Sequence, residues 1–391
     1  MKRLPATVVV LGLVSLLMDT ASELLHSLLP VFLTVTLGAS MATVGLIQGV
    51  AEALAALTKV FSGAWSDHRR QRKPMIVLGY GLAALSKPLF PLASAPLAVF
   101  LARALDRIGK GIRGAPRDAL IADLTPESQR GAAFGLRQAL DTVGAVLGPL
   151  LALCLLSGLG MEIRSVMWLA VLPAGLAVLL LWLAVREPET VPQQGGVVSP
   201  LSRAALRQVP QRTWLGLLLA ALLAKAQFSD AFLILRMQDL GWQPAQAPLT
   251  LVLLNLVYAL LAYPAGLLAD HFGASRLLLL GWAMLCLAYL LLAVATDSRV
   301  GLMAILLAGG YMALTQGLMA AQVANMAPPA MRGTLFGLFN LLCGLVLLLL
   351  NSLGGWLWQH FGASLMFAVG AAVALLAQLG VYYLPRLTWR A

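Results

Sequence analysis

The chain has 391 residues, of which 60% are apolar and only 11% charged, where a soluble domain carries roughly 25% charged residues. No soluble core of this length uses so much apolar sequence, whereas lipid must be met by apolar side chains on the outside as well as within. The net charge of +11 is spread over short loops and apolar segments, which excludes a solvated nucleic-acid-binding face.

A span needs about 20 mostly apolar residues. In chain order the first set of predicted helices covers 7–36, 42–66, 74–95, 97–122, 130–158 and 165–186. The run after Met1, Lys2 and Arg3 imitates a signal peptide, but Asp19 and Glu23 interrupt it, so it is taken as an uncleaved first span. Residues 187–212 form a polar linker with Pro192, Gly195, Gly196 and Pro200. The second set covers 213–238, 246–269, 275–295, 299–326, 333–356 and 364–385. The expected organisation is a six-helix unit over 1–186, a linker over 187–212 and a six-helix unit over 213–391. Lys and Arg concentrate in alternate loops, which places both termini and the linker on the cytoplasmic side. Cys154, Cys286 and Cys343 all lie in apolar stretches and read as small hydrophobic residues, with no metal-site spacing.

The two sets repeat each other. Gly63-Ala-Trp-Ser-Asp67-His68 recurs as Gly266-Leu-Leu-Ala-Asp270-His271, and Gly38 recurs as Gly241, both at an offset of 203. Arg130-Gly131-Ala-Ala-Phe134-Gly135-Leu136 recurs as Arg332-Gly333-Thr-Leu-Phe336-Gly337-Leu338 at an offset of 202. Such duplication is how one class of secondary transporters is built, with the substrate site between the halves.

Ionisable residues inside a span cost at least ~2.5 kcal/mol each, so they point to function. In the first helix Asp19, Glu23 and His26 share one face at i, i+4, i+7. Two carboxylates one turn apart repel, which favours holding a proton, unless one of them pairs with the fourth helix. That helix carries Arg103, Asp106, Arg107, Lys110, Arg113, Arg117 and Asp118 within sixteen positions. The basic members form one stripe, which must line an aqueous cavity or meet acidic partners. Ion-pair latching and direct anion binding by Arg103, Arg107 or Lys110 both fit. Glu52 and Lys59 in the second helix, Lys87 in the third, and Arg137 and Asp141 in the fifth read as structural. The second half offers Lys225, Gln227, Asp230 and Arg236, then Asn255 and Tyr258, then Tyr311, Thr315 and Gln316.

The segment GAWSDHRRQRK over 63–73 resembles the signature loop of the major facilitator superfamily, G-x-x-x-D-R-x-G-R-R, with His68, Arg70 and Gln71 at positions where the family has Arg, Gly and Arg. Arg103 is similar to the arginine of the family's fourth-helix motif. Gly144-Ala-Val-Leu-Gly148-Pro149 is similar to the core of its antiporter motif, without the following glycine pair. The resemblance covers essentially the whole chain. It implies an all-α membrane protein of twelve helices in two pseudo-symmetric six-helix bundles. It also implies a secondary transporter that moves a small organic solute by alternating access, and the short loops without an organellar targeting segment point to the inner membrane of a bacterium.

Expected for coupling or cavity lining are Asp19, Glu23, Arg103, Asp106, Arg107, Lys110, Arg113, Asp141, Lys225 and Asp230; expected at a cytoplasmic gate are Gly63, Asp67, Arg72, Asp123 and Asp270. The partners implied are a small-molecule substrate, protons and lipid, with no nucleic acid, cofactor or metal, and the chain is expected to act as a monomer. The partial helix-5 motif leans towards proton-coupled efflux. The basic stripe serves import of an organic anion equally well, and a membrane sensor that moves nothing is the remaining alternative. Walker A, H-E-x-x-H, G-x-S-x-G and dinucleotide fingerprints are all missing, so no enzyme is indicated. Asp67→Asn is expected to abolish transport in vesicles while membrane insertion is unchanged; full transport by that variant would refute the gate.

Overall fold

The computed structural model describes residues 4–69, 72–126, 129–185, 187, 218, 220–222, 227–326 and 332–388, with the side chains at 64, 67–69, 270, 320–326, 332–336 and 381–388 outside the description. Helix is the only regular structure among these residues. α1 is Ala6–Val31, prolonged by a π-helical turn Phe32–Thr36, and α2 is Met41–Arg69. α3 is Arg72–Ser86, broken before Pro88 and resumed as the short turn Leu89–Leu92. α4 is Pro96–Leu124, and α5 is Arg130–Leu153 with a π-helical turn Cys154–Gly158. α6 comprises Ile163–Leu169 and Val171–Ala184. α7 is described over Asp230–Asp239. α8 is Ala247–Phe272, α9 Ala274–Val294 and α10 Ser298–Met326. The run Arg332–Thr388 is two helices, α11 before and α12 after a break at Gly362, whose φ is 84°.

Nine stretches among the described residues are long and apolar enough to cross a bilayer, and the last of them, Gly337–Gly380, contains the break between α11 and α12. α4 is too charged to count by hydropathy, yet it is packed between α2 and α3. With α4 and α7 the crossings agree with the twelve expected. Leucines such as Leu85, Leu179 and Leu376 stand exposed on the outer surface, where lipid rather than water solvates them. Most of the expected linker, 188–212, and the start of the seventh helix with Lys225 lie outside the described residues.

Among the described residues five glycines take positive φ, a region that L side chains rarely adopt, and four of them record the duplication. Gly38 (64°) and Gly241 (98°) close the first helix of each half, 203 residues apart as the motifs required. Gly160 (64°) and Gly362 (84°) close the fifth helix of each half at the second offset, 202.

Close helix contacts also explain several sequence glycines. A Cβ on Gly144 would lie 2.7 Å from the Leu16 carbonyl, and one on Gly148 would lie 2.6 Å from the Leu24 nitrogen. The antiporter-like glycines therefore press α5 against the stretch of α1 that carries Asp19 and Glu23. α2 and α11 meet along a seam of small residues that joins the two halves. There a Cβ on Gly49 would stand 2.9 Å from the Leu348 carbonyl, and one on Gly355 would stand 3.1 Å from the Ala42 Cα.

We call the membrane face that carries the α2–α3 turn the terminal side and the opposite face the far side. Among the described residues, hydrogen bonds join the halves on the far side and near mid-membrane. The Met41 N–H donates to Gln359 Oε1 at 3.0 Å, and the Ser157 hydroxyl donates to the Ala245 carbonyl at 3.1 Å. Asn255 Nδ2 donates to the Ala145 carbonyl at 3.0 Å near mid-membrane. This conformation is closed on the far side. Gly49→Val is expected to lower stability by about 1–3 kcal/mol through overpacking, seen as a lower unfolding temperature in detergent; an unchanged transition would show that the seam is looser than its distances.

Candidate functional site

The site begins with one carboxylate. Asp106, on the buried face of α4, has Lys87 Nζ at 2.7 Å from Oδ1, while Arg103 Nη1 and Arg107 Nε each stand 3.8 Å from Oδ2. The side chains of Lys87 and Asp106 are 1% and 3% exposed. Lys87 reaches this point because α3 breaks beside it at Pro88, and its ammonium also donates to Ser22 of α1 at 2.8 Å. Arg103 Nη2 donates to Gln48 of α2 at 3.3 Å, and Arg107 Nη1 lies 3.5 Å from Glu52 Oε1. One acidic group thus ties α1, α2, α3 and α4 together. Burying so many charges is tolerable only because each meets an opposite charge or a hydrogen-bond partner.

Towards the terminal side the network opens into a cavity of about 360 Å³ between α1, α2, α4 and α5 on one side and α11 on the other. Arg113 Nη2 is 3.9 Å from Asp19, and its guanidinium lies over the Tyr80 ring at 4.5 Å. Arg117 donates to Ser15 Oγ at 2.8 Å and pairs with Asp118 at 3.1 Å. Arg137 pairs with Asp141 at 2.5 Å and Asp118 at 3.7 Å. Lys59 and Lys110 also line the cavity, and neither forms an ion pair among the described residues. The α11 wall is Asn340, Cys343, Gly344 and Leu347, with no charge in it.

The expected stripe on α4 is present, but its members divide. Arg103, Asp106 and Arg107 belong to the buried cluster, where the arginines already face carboxylates, while Lys110, Arg113 and Arg117 reach the cavity wall. Asp19 and Glu23 are not left facing each other. Asp19 faces Arg113, and Glu23 faces His26 Nδ1 at 3.3 Å. Glu52 pairs with Arg107 on α4 rather than with Lys59 on its own helix, because α4 packs directly on that face of α2. Asp141 lies in the cavity wall. Asp230 sits instead in the second half, in the first turn of α7, capped by Ser229 and beside Tyr289 and Tyr311.

At the terminal side Arg72 Nε donates to Asp123 at 2.6 Å. Gly63 lies in α2 against Ala115 of α4. Asp67 and Asp270 occupy the terminal ends of α2 and α8, and their side chains fall outside the description. Glu187 went unnoticed in the sequence. Its two oxygens accept the N–H groups of Arg72 and Lys73 at 2.6 and 3.0 Å and cap α3, a favourable place for an anion. A carboxylate just past a span's end was its only signal. Gln48 and Ser22 went unnoticed too, since only the fold shows which polar residues meet a charge.

The family model described as Major Facilitator Superfamily matches residues 11–235 and 226–388. An uncharacterised MFS-type transporter of Methanocaldococcus jannaschii is 30% identical over 97% of this chain and 94% of its own length. The multidrug resistance protein MdtH of Photorhabdus laumondii is 34% identical over 35% of this chain and 37% of its own length. Among solved structures, a mutant of the nucleoside transporter NupG is similar at a TM-score of 0.81, with 14% identity over 97% of this chain and 99% of that one.

Asp106→Ala would leave Lys87, Arg103 and Arg107 short of their common anion, and is expected to cost about 3–5 kcal/mol. Asp123→Ala, at a half-exposed pair, is expected to cost at most about 1 kcal/mol. Thermal unfolding of the two variants side by side checks the contrast; equal losses would contradict it.

Proposed function

The chain belongs to the major facilitator superfamily, and from that membership we propose that it is a secondary active transporter, exchanging a small organic solute for protons by alternating access. The observation that carries this reading is the ionised cavity between two repeated halves, which are sealed together on the far side. Opening on one side at a time requires an interface that can part. A seam whose described close contacts are glycines and alanines suits that better than an ion-paired one. The concentration of Arg and Lys in the loops of the terminal side supports a cytoplasmic placement of that face in a bacterial inner membrane, so this conformation would be inward-facing.

Proton coupling is assigned to Asp19 and Asp141. Both line the cavity, and Gly144 holds their helices in contact. Asp141 Oδ1 is buried without a hydrogen-bond partner among the described residues, and Asp19 has its basic neighbour only at 3.9 Å. Asp19 is the more loosely held of the two, since Asp141 Oδ2 is bound to Arg137 at 2.5 Å, and the two carboxylates would exchange a proton when the cavity opens. Asp106, clamped by three cations, is a structural anion. Export is the direction we favour, supported by the helix-5 glycines and by the partial likeness to a multidrug resistance protein. The surplus of basic side chains facing the cavity supports proton-driven import as the second reading.

The test starts from cells with and without the chain, screened for accumulation of metabolites and drugs at two external pH values, and continues with the responding solute in proteoliposomes. An imposed pH gradient should drive movement of that solute against its own gradient. Asp19→Asn and Asp141→Asn should each reduce this at least about tenfold while gradient-free exchange persists. Movement indifferent to the pH gradient would overturn proton coupling, and its sign decides between export and import.

A further inference from the structure

We infer that the solute taken by this cavity is an organic anion, and that Lys59 and Lys110 together hold its acidic group. The inference rests on the transporter reading and names the substrate class it left open. Every described carboxylate in the spanning parts of α1 to α5 has an Arg or Lys nitrogen within 4.0 Å, or in the case of Glu23 the His26 ring. Lys59 and Lys110 are the cations of that network with no carboxylate within 4.0 Å among the described residues. They come from different helices to the same place. The Lys59 stem runs along α4 so closely that a Cβ on Gly114 would touch its Cε at 3.7 Å, and Gly114 stands one turn from Lys110. Two ammonium groups on one wall of a cavity within the membrane repel each other, and an anion between them relieves that cost.

The rest of the cavity suits such a ligand. Arg113, Arg117 and Arg137 in the same wall add positive potential that favours carboxylate, sulfonate or phosphate oxygens. The facing wall on α11 offers Asn340 and then Gly344 and Leu347, a surface for an uncharged, partly apolar body. A volume of about 360 Å³ lies at the lower end of small-molecule sites. Arg103 and Arg107 are excluded from this role by the carboxylates they already face.

Cys343 in the facing wall is a native reporter of the cavity's charge. In the full-length chain with Cys154→Ala and Cys286→Ala, its modification by two methanethiosulfonates of similar size is compared, one carrying a sulfonate and one a trimethylammonium. Asn340→Cys serves as a second reporter, and rates are divided by those of a free thiol. The anionic reagent should react faster, and Lys59→Gln with Lys110→Gln should reduce its advantage about tenfold while the protein keeps its elution profile and unfolding temperature. Equal rates, faster reaction of the cation, or a preference untouched by the double substitution would overturn the inference. The two readings fail separately. Proteoliposome transport of a solute without an anionic group, unchanged in the double variant, defeats the anion subsite and leaves the transporter standing. An anion-preferring cavity in a protein that moves nothing defeats the transporter and leaves the subsite.

Discussion

A carboxylate buried in the middle of a membrane protein must be neutralised, and how Asp106 is neutralised shapes the first half of this molecule. Three cations from two helices converge on it, and through their remaining donors and partners they reach two more. Removing α3 or α4 would strand a charge, and removing α1 or α2 would take a hydrogen-bond or ion-pair partner from one. That is why α4, too polar to enter lipid alone, can sit between α2 and α3: its charged stripe never meets a lipid tail. The same cluster engages Arg103 and Arg107, while Lys110, Arg113 and Arg117 line the cavity.

The two halves are held by different means. In the second half the described contacts are largely aromatic. Phe228, Phe232, Tyr289, Trp358 and Phe367 pack edge and face at ring separations of 5.7 to 6.1 Å, and Trp282 meets Tyr311 at 5.0 Å. Arg236 is turned away from the centre, donating to the Leu292 and Ala295 carbonyls near the far side. An ion-paired half and an aromatic half each make a stiff body, whereas the seam between them is mostly backbone against small residues. Stiff bodies joined by a smooth seam can rock without breaking their own interiors.

Periodicity and repetition in the sequence were enough to predict this architecture. Lipid forbids a charged face, so the stripe on α4 had to be interior whatever surrounded it, and the positive-φ glycines fall where the repeat placed Gly38 and Gly241. The partners of those charges were not legible. Glu52 and Lys59 are close along one helix, yet Glu52 turns to Arg107 because α4 crosses there. Lys87 appeared to belong to α3 alone until the break beside Pro88 brought it to Asp106. Distances between helices decide such choices, and a single sequence carries no record of them. Gly160 and Gly362 repeat as faithfully as the motifs, but a lone glycine is too common a residue to be noticed without its φ.

The most direct measurement is of distances between paired spin labels on the full-length protein in nanodiscs, at pH values on either side of neutrality. Labels at Ala132 and Phe272 span the two halves on the terminal side, labels at Leu159 and Val294 span them on the far side, and labels at Leu78 and Ala132 lie within the first half. Two stiff halves rocking about the α2–α11 seam should give two populations for each cross-half pair, with the terminal-side distance shortening as the far-side distance lengthens, and one unchanging distance within the first half. A single cross-half distance under all conditions, or a first half that changes its own internal distance, would contradict it.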